Sequence, residues 1–183
     1  MARRELMGAI VISALVLGGA AVAAQGKAAE ISKDAEAALS SLYASVPTAK
    51  GLGTKAAAVL VCPKITKAGL GIGGLHGDCA LMKGGKTAAY YSTSGGSFGL
   101  QAGVQTYGYA MFFMNEKALQ ELDKASGFEV GVGPSVVVVD EGKAKQLTTT
   151  TMKNDTYAFV FGQKGLMAGI GIQGNKITKT NPK

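Results

Sequence analysis

The chain has 183 residues and carries 19 Lys and Arg against 12 Asp and Glu, a formal net charge of +7. Both arginines, Arg3 and Arg4, lie at the extreme N-terminus, so the rest of the chain is basic through lysine alone. Lysine gives point charges without arginine's bidentate fork, which argues against base-edge reading of DNA.

Arg3 and Arg4 precede an uncharged run from Leu6 to Ala24 that ends in Ala21-Val22-Ala23-Ala24. A basic start, an apolar middle and small residues at the end predict a secretory signal over residues 1–24. The run is also long enough for an uncleaved anchor, the rival reading. Cleavage after Ala24 would leave 159 residues, the size of one domain, covering 25–183 and bound for the periplasm or cell envelope.

Residues 28–46 predict a helix. Ile31, Ala35, Ala38, Leu39, Leu42 and Val46 repeat at helical spacing, and Pro47 stops it. That stripe suits docking on the chain's own domain, with lipid insertion as the alternative. Glu30, Lys33, Asp34 and Glu36 make the helix slightly acidic, unlike polybasic membrane helices.

From Ala56 the texture changes to strands. "AAAVLVC" is an apolar run closed by Pro63. "KTAAYYST", "SVVVVD" and "TYAFVFG" are β-branched and aromatic. Gly84-Gly85, Gly95-Gly96 and Gly133-Pro134 predict turns, and "KGGK" a hairpin. "YGYAMFFM", Tyr107 to Met114, reads as buried strand. One helix interrupts, "NEKALQELDKA", with Asn115 as N-cap and Gly127 past its end. Many short strands without alternating helices predict a mainly β, α+β fold. Its core is a strongly curved antiparallel sheet or partly closed barrel, with an N-terminal helix and one inserted helix. The β-rich body spans residues 56–178.

Glycines recur in "AGLGIGG" (68–74), "FGLQAGVQ" (98–105) and "AGIGIQG" (168–174). Alternation with Leu, Ile and Val places them on one face of a strand, where they permit bending or close approach. Three short motifs inside this region suggest chemistry, and context argues against each. Gly69-x-Gly71-x-x-Gly74 fits the dinucleotide fingerprint, but no helix follows and no acid lies between Asp78 and Glu116. Gly85-Lys86-Thr87 ends a phosphate-loop pattern whose first glycine position is Ala80. Ser97 stands in G-x-S-x-G, yet His76, the only histidine, lies upstream, so Ser97 reads as a turn residue. His76, Cys62 and Cys79 lack tight ligand spacing, so no metal is expected. Cys62 and Cys79 suit a disulfide in an oxidising compartment, with two buried thiols as the alternative.

Three blocks, "VLVCPKITKAGLGIGG", "GGKTAAYYSTSGGSFGLQAGVQTYGYAMFFM" and "FVFGQKGLMAGIGIQGNKIT", resemble the SYLF-domain family, the actin-binding regulator domain of yeast endocytic proteins. The resemblance runs from about Ala49 to Thr178. It implies a non-enzymatic module without a cofactor that binds membrane lipid. Eukaryotic members bind phosphoinositides and organise actin; secreted bacterial members are regarded as envelope lipid binders. Here the signal sequence removes actin as a natural partner, the acidic helix departs from helix-led membrane contact, and the cysteines stand where ordinary strand residues are expected.

Residues 50–114 carry six lysines and one acid, and residues 156–183 four lysines and none. The expected ligand is anionic phospholipid on a membrane surface. The expected contacts are Lys50, Lys55, Lys64, Lys67, Lys83, Lys86, Lys164 and Lys176, each worth about 1 kcal/mol if several share a face. The alternative is a structural module of the periplasm with an envelope protein partner and no lipid.

Overall fold

The computed structural model describes residues 18–124, 128–129, 136–139, 154–165 and 174–182. Its frame is one long hairpin, β1 (Ala58–Lys83) and β2 (Lys86–Phe113), joined at Gly84-Gly85. Both turn glycines have positive φ, 59° and 78°, the geometry of a two-residue turn whose twist matches its strands. "KGGK" is thus the hairpin turn its sequence predicts.

The hairpin does not run straight. Cys62 and Cys79, both on β1, are joined by a disulfide with their Cα atoms 4.1 Å apart. A strand holding both can do so only by doubling back between them. Gly77 shows the same crossing, since a Cβ there would stand 2.7 Å from the Lys64 carbonyl oxygen and 2.9 Å from Ile65 Cγ1. The corner lies at Gly69–Gly73, where a Cβ on Gly69 would run into the backbone of Ile72 and Gly73. Glycine is needed at 69 and 77 because backbone approaches backbone there. The glycine segments at 68–74 and 98–105 are partners, with Gly69 opposite Gly103.

The other strands extend the two halves. β5 (Thr156–Gly165) pairs with residues 105–113 of β2, and β6 (Lys176–Thr180) with residues 90–94. β3 (Phe128–Glu129) adds to β6, and β4 (Val136–Val139) adds to β5 in parallel. The result is a six-stranded, mainly antiparallel sheet that is bent and not closed. β4 with β5 is the one parallel pair among the described strands, within a sheet that is mainly antiparallel as expected.

Each face of the sheet buries its own core. Inside the fold lie Leu60, Ile65, Leu75, Leu81, Tyr109, Met111 and Phe113, with Leu119 and Leu122 of α3 (Glu116–Leu122). Outside, Val59, Val61, Ala80, Met82, Ala110, Phe112 and Phe159 are covered by α1 (Gly18–Ser45) and α2 (Pro47–Gly53). Consecutive residues of "YGYAMFFM" therefore enter opposite cores, which explains a run that is apolar throughout. Phe112 meets Phe159 edge to face at 5.4 Å, a favoured aromatic geometry.

α1 buries Ile31, Ala35 and Leu42 against the sheet and half-buries Ala38, Leu39 and Val46. Glu30, Lys33, Asp34 and Glu36 stay exposed. The stripe is thus occupied by its own domain, and the Ser32 hydroxyl meets the Tyr90 hydroxyl at 2.9 Å. The helix starts at Gly18, ten residues before its expected start. Pro47 ends α1, as expected, but also opens α2 as its first residue, where a missing N–H does no harm. Asn115 caps α3, its Oδ1 accepting from the Ala118 N–H at 2.8 Å.

Several local expectations are corrected. Pro63 does not end a strand; it sits in β1 at the register shift between Cys62 and Ile65, a bulge that tolerates proline. Gly95-Gly96 and Ser97 are not a turn but lie within β2, opposite Leu75, Gly74 and Gly73. Gly127, Gly133-Pro134 and most of 168–174 lie outside the described residues. So does most of the apolar leader, and the expected cleavage point after Ala24 falls within α1. Among the described residues no helix is long and apolar enough to cross a membrane.

Candidate functional site

The eight expected lysines separate into groups. Lys50 lines an open cleft of about 390 Å³ between α1, α2 and the hairpin turn, with Leu39, Tyr43, Met82, Gly84 and Gly85. Lys83 and Lys86 flank that turn, and Lys55 lies between two other lining residues, Thr54 and Ala56. This is the densest grouping, four lysines about one cleft. Lys83 is partly committed, as its ammonium donates to Glu116 Oε1 at 3.0 Å. Burial in the cleft wall raises the Tyr43 hydroxyl above its ordinary pKa.

Lys64 belongs to a second, smaller cleft of about 210 Å³, where it meets Lys27, Glu30, Asp34 and Asp78. Three acids against two lysines leave no basic surface there. Lys27 lies 3.6 Å from Asp78, and His76 4.0 Å from the same carboxylate. Lys164 on β5 and Lys176 on β6 are exposed on opposite halves of the sheet, in register with Thr106 and Ser94. Lys67 departs from the outward position expected of it, with only 8% of the residue exposed.

A feature absent from the sequence reading stands at the corner. Leu70, Ile72 and Val104 are 83%, 71% and 59% exposed. They are the large apolar residues left uncovered among the described residues. Gly69 and Gly73 close the inside of the bend, so Leu70 and Ile72 occupy its outside. Ala68 faces Val104 across the hairpin, placing Val104 on the same outer side as Leu70. The alternation of glycine with branched residues was the available signal. It indicates two faces but not which one is covered.

A polar strut braces the far side of the sheet. The Tyr91 hydroxyl donates to Asp123 Oδ1 at 2.6 Å, and Lys179 donates to the same oxygen at 3.0 Å. The Tyr91 bond and the Lys179 ammonium hold the Asp123 carboxyl below its ordinary range. Burial, and then the Asp123 carboxylate, push the Tyr91 hydroxyl upward. Lys179 also lies 5.8 Å from the centre of the Tyr91 ring. Tyr, Asp and Lys here tie the end of α3 to β2 and β6.

The catalytic motifs find no matching context. Gly69 to Gly74 lies inside β1, which continues as strand to Lys83, so no helix N-terminus follows the glycines. Lys86 and Thr87 begin β2. His76 pairs with Ser94, and Gly73 with Ser97, separating His76 from Ser97 along the hairpin. Cys62 and Cys79 are consumed by their disulfide.

Residues 94–182, just under half of the chain, match the Ysc84 family model, described as "Las17-binding protein actin regulator". The match takes in the second half of β2, α3 and β3–β6. β1, the partner of β2 along its length, lies outside the matched residues. No curated protein matches the chain.

Proposed function

We propose that the protein is a non-enzymatic module that docks on anionic phospholipid in the cell envelope. The observation that carries this reading is the acid-free apolar corner. Leu70, Ile72 and Val104 project from a stretch in which residues 64–77 and 97–113 contain no Asp or Glu. Exposed aliphatic groups can enter the acyl boundary, while nearby lysines are drawn to negative headgroups. The family matched over residues 94–182 is associated with actin regulation and lipid binding, which supports a membrane role. The basic leader and its apolar run support export, and export separates the chain from actin.

Lys164, in register with Thr106 two residues from Val104, is the supporting charge beside the corner on this reading; Lys50, Lys55 and Lys86 stand about the turn cleft at the other end of the folded hairpin. Flotation of the purified protein with phosphatidylglycerol and phosphatidylcholine vesicles tests it. Binding is expected to the anionic vesicles and to weaken as salt rises, because exposed charges are screened over about 8 Å at physiological ionic strength. Equal binding to both vesicles at every salt concentration, or none to either, would refute the proposal. Mass measurement of the protein recovered from cells tests export, with a mature chain starting at Gln25 as the expected form.

A further inference from the structure

The cleft at the turn end of the hairpin has an apolar interior. Leu39 and Tyr43 of α1, Ala56 to Val59 leading into β1, and Met82 before the turn line it. Gly53 of α2 has no room for a side chain, because the Tyr43 hydroxyl lies where its Cβ would stand. That hydroxyl is part of the cleft wall, and burial raises its pKa, so it remains a neutral donor.

The rim carries charge of one sign. Lys50 lines the cleft, Lys55 follows the lining residue Thr54, and Lys83 and Lys86 flank the lining pair Gly84-Gly85. All four are exposed. Residues 37–59 and 79–90 supply every lining residue, and they contain these four lysines and no Asp or Glu. Glu116 engages Lys83. Lys50, Lys55 and Lys86 make no ion pair among the described residues.

Concavity decides what this surface fits. A bilayer is entered by side chains that protrude, and the large exposed apolar residues described are all at the corner. Here the apolar groups are recessed and the charges stand around them. An apolar centre within a polar rim is the plan of a protein interface, where a few inserted side chains carry most of the energy. A cleft of about 390 Å³ has room for such an anchor. A rim of free ammonium groups without acids selects a negative partner.

We propose that the turn cleft receives an acidic peptide segment of a partner protein. One aliphatic or aromatic side chain of that segment enters between Leu39, Tyr43 and Met82. Asp or Glu residues beside it meet Lys50, Lys55 and Lys86. The proposal stands apart from membrane docking, because the cleft and the apolar corner lie at opposite ends of the folded hairpin.

A random peptide library displayed on phage, panned on the full mature chain, tests it. Selected sequences should share an apolar residue flanked by Asp or Glu. A fluorescein-labelled consensus peptide should then bind saturably in fluorescence polarisation, and more weakly as salt rises. Lys50→Glu combined with Lys86→Glu should weaken binding about tenfold or more, as for reversed charges at an interface. Both positions are exposed, so Tm should hold. Ala56→Phe fills the cleft and should abolish binding with the lysines intact. Replacing the peptide's apolar anchor by Gly reads the same contact should Ala56→Phe fail to fold. Selection of basic sequences or of none, or affinity unchanged in the double lysine variant, overturns the proposal. So does an anchorless peptide that binds as well as the consensus.

Flotation separates the cleft from membrane docking. Labelled peptide should float with phosphatidylglycerol vesicles only when the protein is present, since both ends can be occupied together. Vesicles that displace the peptide would assign the cleft to the membrane and overturn the proposal. A protein that does not float refutes the membrane reading alone, and polarisation still decides the cleft.

Discussion

The two ends of the folded hairpin are built on opposite plans. Near the turn, β1 and β2 are apolar on both faces, with Phe112 beneath the helices and Met111 and Phe113 inside. At the corner, the inner face carries Lys67 and Gln105, and the outer face exposes Leu70 and Val104. The same pair of strands is thus a core at one end and an inverted surface at the other. The first end has the burial needed for stability. The second spends little apolar burial, so it is free to meet another phase.

That contrast can be broken at the turn end first. Phe112→Ala should have the largest effect, a loss of about 4 kcal/mol in unfolding free energy, from removing a fully buried ring. Denaturant unfolding measures it. Joint replacement of Cys62 and Cys79 by Ala should come next, at about 3 kcal/mol for a loop of this length. Alkylation without reductant provides an independent check, since the native protein should offer no reactive thiol. Asn115→Ala should lower stability by about 1 kcal/mol through loss of the α3 cap. Asn115→Asp retains an N-cap acceptor but replaces the donor to Asp155 with a carboxylate.

The Tyr91–Asp123 strut predicts a smaller effect with a defined pH dependence. Asp123 is depressed in the folded state. Its contribution is therefore present above the ordinary carboxylate pKa and is lost as pH falls through the lower folded value. Tyr91 is raised. Its contribution is present below pH about 10 and is lost as pH rises beyond that through the folded value. Tyr91→Phe should flatten both limbs in a series of unfolding curves from acid to alkaline pH. A wild-type pH profile retained in the variant would exclude the strut as its source.

The corner should give the smallest effect on stability. Leu70→Ser with Ile72→Ser should change unfolding free energy by no more than about 0.5 kcal/mol per site, as for surface positions generally. The same variant should lose vesicle binding in flotation. A large destabilisation would instead mean that these side chains belong to a core, and the contrast between the ends would fail.

Much of the turn end was legible in the sequence. Gly84-Gly85 between two β-rich runs specified a hairpin, Asn115 specified a cap, and "YGYAMFFM" specified a strand buried on both faces. These signals are local, because backbone conformation and side-chain period act over a few residues. The stripe on α1 was equally readable, since its spacing fixes a face even without showing what covers it.

The corner end was not legible to the same degree. Gly95-Gly96 looks like a turn because glycine permits one, but pairing with Gly74 and Leu75 holds it extended. Lys67 looks like a surface residue because lysine generally is; its burial depends on Gln105 across the strand pair and on the folding of the hairpin over it. Cys62 and Cys79 suggested a bond, but their meeting within one strand required that strand to double back. The sequence by itself determined the mainly β class, the hairpin turn at Gly84-Gly85 and the helix that packs on the sheet, through periodicity and turn chemistry; the length of the two strands, running through Pro63 and Gly95-Gly96, it did not. Tertiary structure alone decided the crossing at Gly77, the polar interior and the uncovered Leu70, Ile72 and Val104. Those depend on contacts between residues distant in the chain, which no local pattern encodes.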